Sequence, residues 1–178
     1  RLAHGKAFEE LQARYADRLD ITSFVGPFDH GFTPEYYQVG TYTDPWGSRW
    51  TNIQAGVVGE VKHPVFADYE AMKGYTPPTE QFLREWERNK PALTGQIAAA
   101  RKTGKFLIGG WVSVFERFQF LRGTENLYCD IALEEPEMFA MMDMVMEFLR
   151  VYVDAWLAMD VDAVPFGDDW GTQRSLLI

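Results

Sequence analysis

The sequence lacks the features that mark secreted, membrane-spanning and nucleic-acid-binding proteins. Cys129 is the only cysteine among 178 residues, so no intrachain disulfide can form and we expect a cytoplasmic protein. No apolar run approaches the roughly 18 residues that a membrane span requires, and the first residues show no signal-peptide pattern. The formal net charge of −9 disfavours binding to nucleic acid or to an anionic membrane by bulk electrostatics.

Common cofactor-binding motifs are absent too. The chain contains no GxGxxG, no Walker-type loop, no HExxH and no CxxC. What is present is the composition of an ordinary globular protein, with 47% hydrophobic and 24% charged residues. A chain of this length can bury a sizeable core. We therefore predict one domain over residues 1–178.

Three short apolar runs are typical of buried strands. They are LDITSFV (residues 19–25), KFLIGGW (residues 105–111) and DAVPF (residues 162–166). The second and third each follow a helical pattern, and their nearly continuous apolar character suits a parallel sheet that is covered on both faces. Alternation of helices and such strands predicts an α/β fold.

Residues 36–61 interrupt this alternation. They are rich in Tyr, Thr, Trp and Val and are punctuated by Gly47, Gly56 and Gly59, a pattern that predicts two or three short antiparallel strands. Its aromatic side chains, among them Trp46 and Trp50, either cover the mouth of a pocket or pack this β-rich excursion onto the rest of the domain.

Helical periodicity marks the remaining segments. We predict helices over residues 6–17, 68–74 and 124–133, and a helix from about residue 76 that Pro91 should kink or split near Asn89. A longer helix begins at Pro136 with acidic residues in its first turn. Its apolar stripe includes several methionines, which we interpret as core rather than as a soft binding surface. We likewise expect Cys129 to be a small core residue.

Polar residues at the predicted strand ends are the candidates for a functional site. Carboxyl ends of parallel strands form the ligand-binding face of α/β folds, so we interpret Asp168 and Asp169, after the third strand, as active-site carboxylates. An acidic helix cap is the alternative role for Asp168. We predict Trp170, Gln173 and Trp111 as pocket residues in the same region.

The first strand end supplies two further candidates. Residues 26–34 would lie at the same face, and they carry Asp29 and His30, an acid and a potential base at adjacent positions. We predict that they contact substrate; exposed loop residues without a role are the alternative.

Four stretches together resemble the uroporphyrinogen decarboxylase family. They are DPWGSRW (residues 44–50), HPVFADYEAMKGYTPP (residues 63–78), KFLIGGWVSVFERFQFLRG (residues 105–123) and GDDWGTQRSLLI (residues 167–178). The long helix that is predicted from Pro136 resembles the same family and occurs in the same order. The resemblance implies a (β/α)8 TIM barrel of the uroporphyrinogen decarboxylase type, of which this chain would carry the N-terminal portion, and a homodimer. Glu116 is the approximate match to a substrate-contacting position that is Tyr in true decarboxylases.

The same family includes methyltransferases that work with corrinoid proteins. The resemblance therefore implies a small-molecule substrate and a corrinoid carrier, with zinc, where present, bound through an HxC…C pattern in the C-terminal half. Cys129 does not match that pattern, so we predict no metal site within these residues. The candidate functions are methyl transfer between a small methylated compound and a corrinoid carrier, decarboxylation of uroporphyrinogen, and non-catalytic binding.

Charge at the predicted face separates the first two functions. The face carries five acids, Asp29, Asp44, Glu116, Asp168 and Asp169, which would repel the eight carboxylates of uroporphyrinogen. An acidic mouth suits a neutral or cationic methyl donor, and an acid could protonate its leaving group. We therefore favour the methyltransferase, with Asp168 and Glu116 as acid/base or orienting groups and Asp169 as a helper.

Overall fold

The computed structural model describes residues 5–15, 21–28, 34–171 and 174–176. These residues form a mixed α/β structure in which no closed barrel is present. The elements in chain order are α1 (Gly5–Arg14), β1 (Ile21–Phe24), a 3-10 turn (Pro34–Tyr37), β2 (Gly40–Thr43), β3 (Arg49–Asn52), β4 (Glu60–His63), a 3-10 turn (Tyr69–Met72), α2 (Thr79–Arg101), β5 (Phe106–Gly109), α3 (Phe115–Arg122), α4 (Thr124–Leu133) and α5 (Pro136–Leu157).

The predicted parallel strands lie side by side in the order of the chain. β1 pairs with β5 in parallel, with Ile21 opposite Phe106. Residues 162–166 continue the layer on the other side of β5, but they pair only through the single parallel bridges of Ala163 with Ile108 and Phe166 with Val112. The third predicted strand is thus an extended segment rather than a regular ladder, and we call it the third segment. The α/β prediction is confirmed.

Helices α2 and α5 cover one face of this parallel layer. Phe24 and Leu107 point towards them and are buried. Trp156 of α5 reaches the strands where glycine leaves room, since a Cβ on Gly109 or Gly110 would overlap its ring. The predicted apolar stripe of α5 is confirmed as core, from Met138, Met141 and Val145 to Phe148, Tyr152 and Trp156.

The opposite face of the parallel layer carries apolar side chains that no described element covers. Ile21 is 57% exposed and its partner Phe106 is 49% exposed. Strands of a parallel sheet are usually buried on both faces. The layer described here therefore has one packed face and one open apolar face.

The β-rich excursion is confirmed as a three-stranded antiparallel sheet in the order β2-β3-β4. Trp46 and Trp50 are both buried, with Trp46 packed edge-to-face on Phe148 and Trp50 on Phe120. Burial places both rings in the packing between the excursion and the helices, and Trp46 also lines a small cavity described below.

Two predictions about the helical part need correction. Of the two alternatives at Pro91, the split does not occur: α2 runs without a break over Thr79–Arg101. Its residues Phe82, Trp86, Leu93 and Ile97 pack into the core on both sides of the proline. Cys129 is exposed rather than buried. It lies on α4, whose buried residues are Leu127 and Asp130, so the lone cysteine is on the outer side of that helix.

Candidate functional site

The carboxyl ends of the three parallel segments meet at one edge of the layer. Backbone hydrogen bonds continue there beyond the strands: Gly110 N–H donates to Phe24 O (3.1 Å), and Val112 N–H donates to Pro165 O (3.0 Å). Gly167 N–H then donates back to Val112 O (2.9 Å). These bonds place Trp111, Ser113 and Asp168 next to one another, as the prediction of a site at the strand ends requires.

Asp168 holds the start of α3. Its Oδ2 accepts from Val114 N–H (3.0 Å) and its Oδ1 from Glu116 N–H (3.0 Å). Val114, at the cap position of α3, makes no side-chain cap of its own, so the carboxylate supplies the acceptor that a cap residue would have supplied. The helix that Asp168 caps comes before it in the chain. Its predicted role in proton transfer stays a prediction.

Glu116, in the first turn of α3, pairs with Ser113, which precedes the helix. Ser113 Oγ lies 2.7 Å from Glu116 Oε2 and 2.7 Å from the carbonyl oxygen of Gly167. Trp111 Nε1–H donates to the same Oγ across 3.1 Å. One hydroxyl therefore connects the predicted acid, the predicted pocket tryptophan and the third segment.

Trp111 is held in place although 45% of it is exposed. Its indole lies against Gly167, where a Cβ would overlap the ring, and its backbone N–H donates to Tyr152 Oη (3.1 Å). Together with the indole hydrogen bond to Ser113, these contacts fix both the backbone and the ring. The result is an ordered aromatic surface beside Glu116.

Asp44 is not part of an exposed acidic mouth, and this prediction was wrong. Its side chain is only 1% exposed, and Oδ2 lies 3.2 Å from Arg117 Nη1, whose side chain is 11% exposed. Ser48 N–H donates to Oδ1 (2.8 Å) and Trp50 Nε1–H to Oδ2 (3.2 Å). Asp44 is thus a buried, fully partnered anion that ties the excursion to α3.

A small cavity opens at these strand ends. It encloses ≈ 40 Å³, which is room for about three water molecules. Its walls include Phe28, Trp46, Trp111, Ser113, Arg117 and Tyr152. Its lining is aromatic with a few polar groups, and its volume suits water or a group of a few atoms rather than a whole substrate. Ser113 and Trp111 connect the cavity to Glu116.

The other predicted site residues are placed as follows. Asp169 is exposed and its Oδ1 accepts from Gly171 N–H (3.3 Å). Trp170 stacks on Phe115 of α3, with ring centroids 4.7 Å apart and planes at 12°. Neither lines the cavity. Asp29, His30 and Gln173 lie outside the described residues.

Sequence reasoning did not identify Ser113, Arg117 and Tyr152 as site residues. A signal for Ser113 was present, since SVFE (residues 113–116) has the S-x-x-E spacing of a helix start. Arg117 and Tyr152 gave no such signal, because an arginine within a helix and a tyrosine in an apolar stripe are both ordinary features.

A second buried ion pair anchors the far end of α3. Arg122 Nε donates to Asp130 Oδ2 (2.6 Å), and Tyr69 Oη donates to the same oxygen (2.7 Å). Burial opposes ionisation of Asp130, but the hydrogen bonds from Arg122 and Tyr69 outweigh it and lower the pKa of this carboxyl. Burial and the neighbouring Asp130 raise the pKa of Tyr69. The cluster is far from neutral-pH titration and is structural.

The described part of the chain contains no group of three or more His, Cys, Asp or Glu side chains arranged to hold a metal ion. The zinc that the family resemblance implies has no ligand set among these residues. None of the described helices combines the length and the apolar character needed to cross a membrane.

Comparison of this chain with protein-family models, with curated proteins and with solved structures found no match.

Proposed function

We propose that this chain is part of an enzyme of the uroporphyrinogen decarboxylase type that moves a methyl group between a small methylated compound and a corrinoid carrier. The observation that carries the proposal is the meeting of Trp111, Glu116 and Asp168 at the carboxyl ends of three parallel segments. In (β/α)8 barrels the reacting groups lie at these ends. A cytoplasmic homodimer belongs to the same proposal.

The barrel itself is supported by strand order. β1, β5 and the third segment are neighbours in the order in which they occur in the chain, as the first three strands of such a barrel are. The open apolar face around Ile21 and Phe106 is what the inward side of a barrel presents before the remaining strands cover it.

Electrostatics still favour a neutral or cationic methyl donor, although fewer acids support this preference than the sequence suggested. Asp44 is neutralised by Arg117, and Asp168 is occupied by two backbone N–H groups. Among the acids that the structure describes, Glu116 and the exposed Asp169 remain. In this proposal Glu116 gives its proton to the oxygen or nitrogen of the donor as the bond to the methyl group breaks, and the methyl group passes to the carrier.

One observation favours decarboxylation as a second candidate, because Arg117 lines the cavity and arginine is the residue best suited to bind substrate carboxylates. Its guanidinium is, however, committed to Asp44 and lies over the ring of Trp46, 5.1 Å from the centroid. Few of its N–H groups are then left to bind the eight carboxylates of uroporphyrinogen, so methyl transfer remains the better supported function.

The proposal is tested by incubating the purified protein with reduced cobalamin and a panel of methylated amines and methoxy compounds, while the absorbance of the cobalamin reports methylation. We expect turnover with at least one donor and at least a tenfold loss in Glu116→Gln. Glu125→Gln is the matched control, because Glu125 is the second residue of α4 as Glu116 is of α3, and it is exposed.

A parallel assay with uroporphyrinogen separates the alternatives. Loss of carboxyl groups from uroporphyrinogen, without methyl transfer, would establish the decarboxylase. Absence of both activities in a protein that is shown to be folded would contradict the enzymatic proposal and favour a binding domain.

A further inference from the structure

The hydroxyl of Ser113 has more acceptors than protons. Two acceptors, Glu116 Oε2 and Gly167 O, each lie 2.7 Å from its Oγ. The hydroxyl can donate its one proton to only one of them at a time. It can also accept two hydrogen bonds, and the indole N–H of Trp111 already uses one of these positions.

This arrangement accommodates both protonation states of Glu116. When Glu116 is ionised, the Ser113 hydroxyl donates to Oε2. When Glu116 carries a proton on Oε2, that proton is donated to Ser113 Oγ, and the hydroxyl turns to donate to Gly167 O. No heavy atom has to move, and in either state the carboxyl group and the hydroxyl are hydrogen-bonded to each other.

We propose that Ser113 is a positioning residue that keeps Glu116 hydrogen-bonded in both protonation states, with Gly167 O as the alternative acceptor. The proposal rests on the function assigned to Glu116 above and explains how that side chain can give up a proton and regain it in one geometry. When Glu116 loses that proton, its hydrogen bond to Ser113 Oγ breaks, and the proton of Ser113 swings from Gly167 O to Oε2, so the carboxylate keeps a donor.

The geometry of the pair depends on neighbours that stay fixed during this exchange. Asp168 accepts from the N–H groups of Val114 and Glu116 and so ties the first turn of α3 to the residues that follow the third segment. The indole of Trp111 lies against Gly167. Both contacts keep Gly167 O within reach of Ser113.

Other charged groups surround the pair and have to be distinguished from it in any titration. On α3 itself, Arg117 is directed to Asp44. From the third segment come Asp168, which accepts from the backbone N–H of Glu116, and Asp169, which is exposed and accepts from Gly171 N–H. A test must therefore separate Glu116 from two aspartates.

The indole N–H of Trp111 provides the readout, because it donates to the hydroxyl that reorients. In a ¹⁵N-labelled protein, its resonance is assigned by its loss in Trp111→Phe, and its position is followed from neutral to acidic pH. We expect it to move with pH in the wild type and in Glu125→Gln, Asp168→Asn and Asp169→Asn. In Glu116→Gln it should stay at the wild-type acidic position, since the amide N–H₂ mimics the protonated acid.

Ser113→Ala and Ser113→Thr complete the experiment. Alanine should abolish the movement, and threonine, which keeps the hydroxyl, should retain it; circular dichroism checks that both remain folded. A wild-type resonance that does not move, or one that moves equally in Glu116→Gln, would overturn the proposal. Because no substrate is present, this result is independent of whether methyl transfer is observed.

Discussion

Asp44 and Glu116 are two carboxylates of the same predicted acidic face, but they differ in burial and in hydrogen-bond partners. Asp44 is buried and its two oxygens receive one guanidinium, one backbone N–H and one indole N–H. Glu116 is half-buried and its Oε2 contacts a single hydroxyl that has another acceptor available. A carboxylate whose two oxygens are both held by fixed donors is structural, whereas one that shares a proton with a neighbour can change state.

The largest loss of stability should come from breaking the buried ion pair between Asp44 and Arg117. In Arg117→Met the buried Asp44 loses its counter-charge, and we expect the free energy of unfolding to fall by about 3–5 kcal/mol. Urea denaturation followed by tryptophan fluorescence measures it. Arg84→Met, which removes an arginine from the exposed pair with Glu80 on α2, is the control and should change stability by less than about 0.5 kcal/mol. A similar small loss in Arg117→Met would mean that Asp44 is solvated.

Removing the cap that Asp168 provides at the start of α3 should lower the stability by a smaller amount. Asp168→Ala leaves the N–H groups of Val114 and Glu116 without their acceptor, and we expect a loss of about 1–2 kcal/mol. Asp168→Asn keeps one oxygen acceptor and should lose about half as much. Thermal or urea unfolding compares the two variants. If alanine were as stable as asparagine, the contacts of Asp168 with α3 would be energetically irrelevant.

A smaller, pH-dependent effect is expected at the other end of the third segment. The backbone N–H of Leu107 and then the guanidinium of Arg101 hold the pKa of Asp162 below its usual 3.8. The stabilisation is therefore complete above pH 3.8 and is lost as pH falls through the lowered value. Asp162→Asn should be less stable than wild type at neutral pH, and the difference in free energy of unfolding should narrow in acid. Asp143→Asn, at an exposed residue of α5, is the control and should match the wild type at both pH values.

Glu116→Gln should have the smallest effect on stability. The amide can donate to Ser113 Oγ as a protonated acid would, so we expect a change within about 0.5 kcal/mol in urea denaturation. A loss as large as that of Arg117→Met would show that Glu116, like Asp44, is a structural anion, and the contrast between the two carboxylates would disappear.

Local periodicity accounts for the parts of the fold that the sequence predicted. The stripe of α5 from Met138 to Trp156 and the antiparallel pairing of β2, β3 and β4 follow from the spacing of apolar and β-forming residues. The split considered at Pro91 does not occur, because core packing on both sides of the proline outweighs the backbone hydrogen bond that it removes.

The contacts that decide the roles of the site residues join distant parts of the chain. Arg117 is 73 residues from Asp44 in sequence, and Asp168 is 52 residues from Glu116. Contacts between residues so far apart produce no periodic pattern in the sequence. The sequence could therefore indicate the acids as candidates but could not show which of them were already paired. The S-x-x-E spacing was the local clue to Ser113, which sequence reasoning did not use.

The cap that Asp168 provides also has a consequence for the order of folding. The first turn of α3 is completed by a residue that follows α4 and α5 in the chain. Closing so long a loop costs entropy before the contact repays it, so α3 cannot be finished as an autonomous helix. We expect its start, α5 and the third segment to form one cooperative unit, with the amide protons of Val114 and Glu116 exchanging only when that whole unit opens.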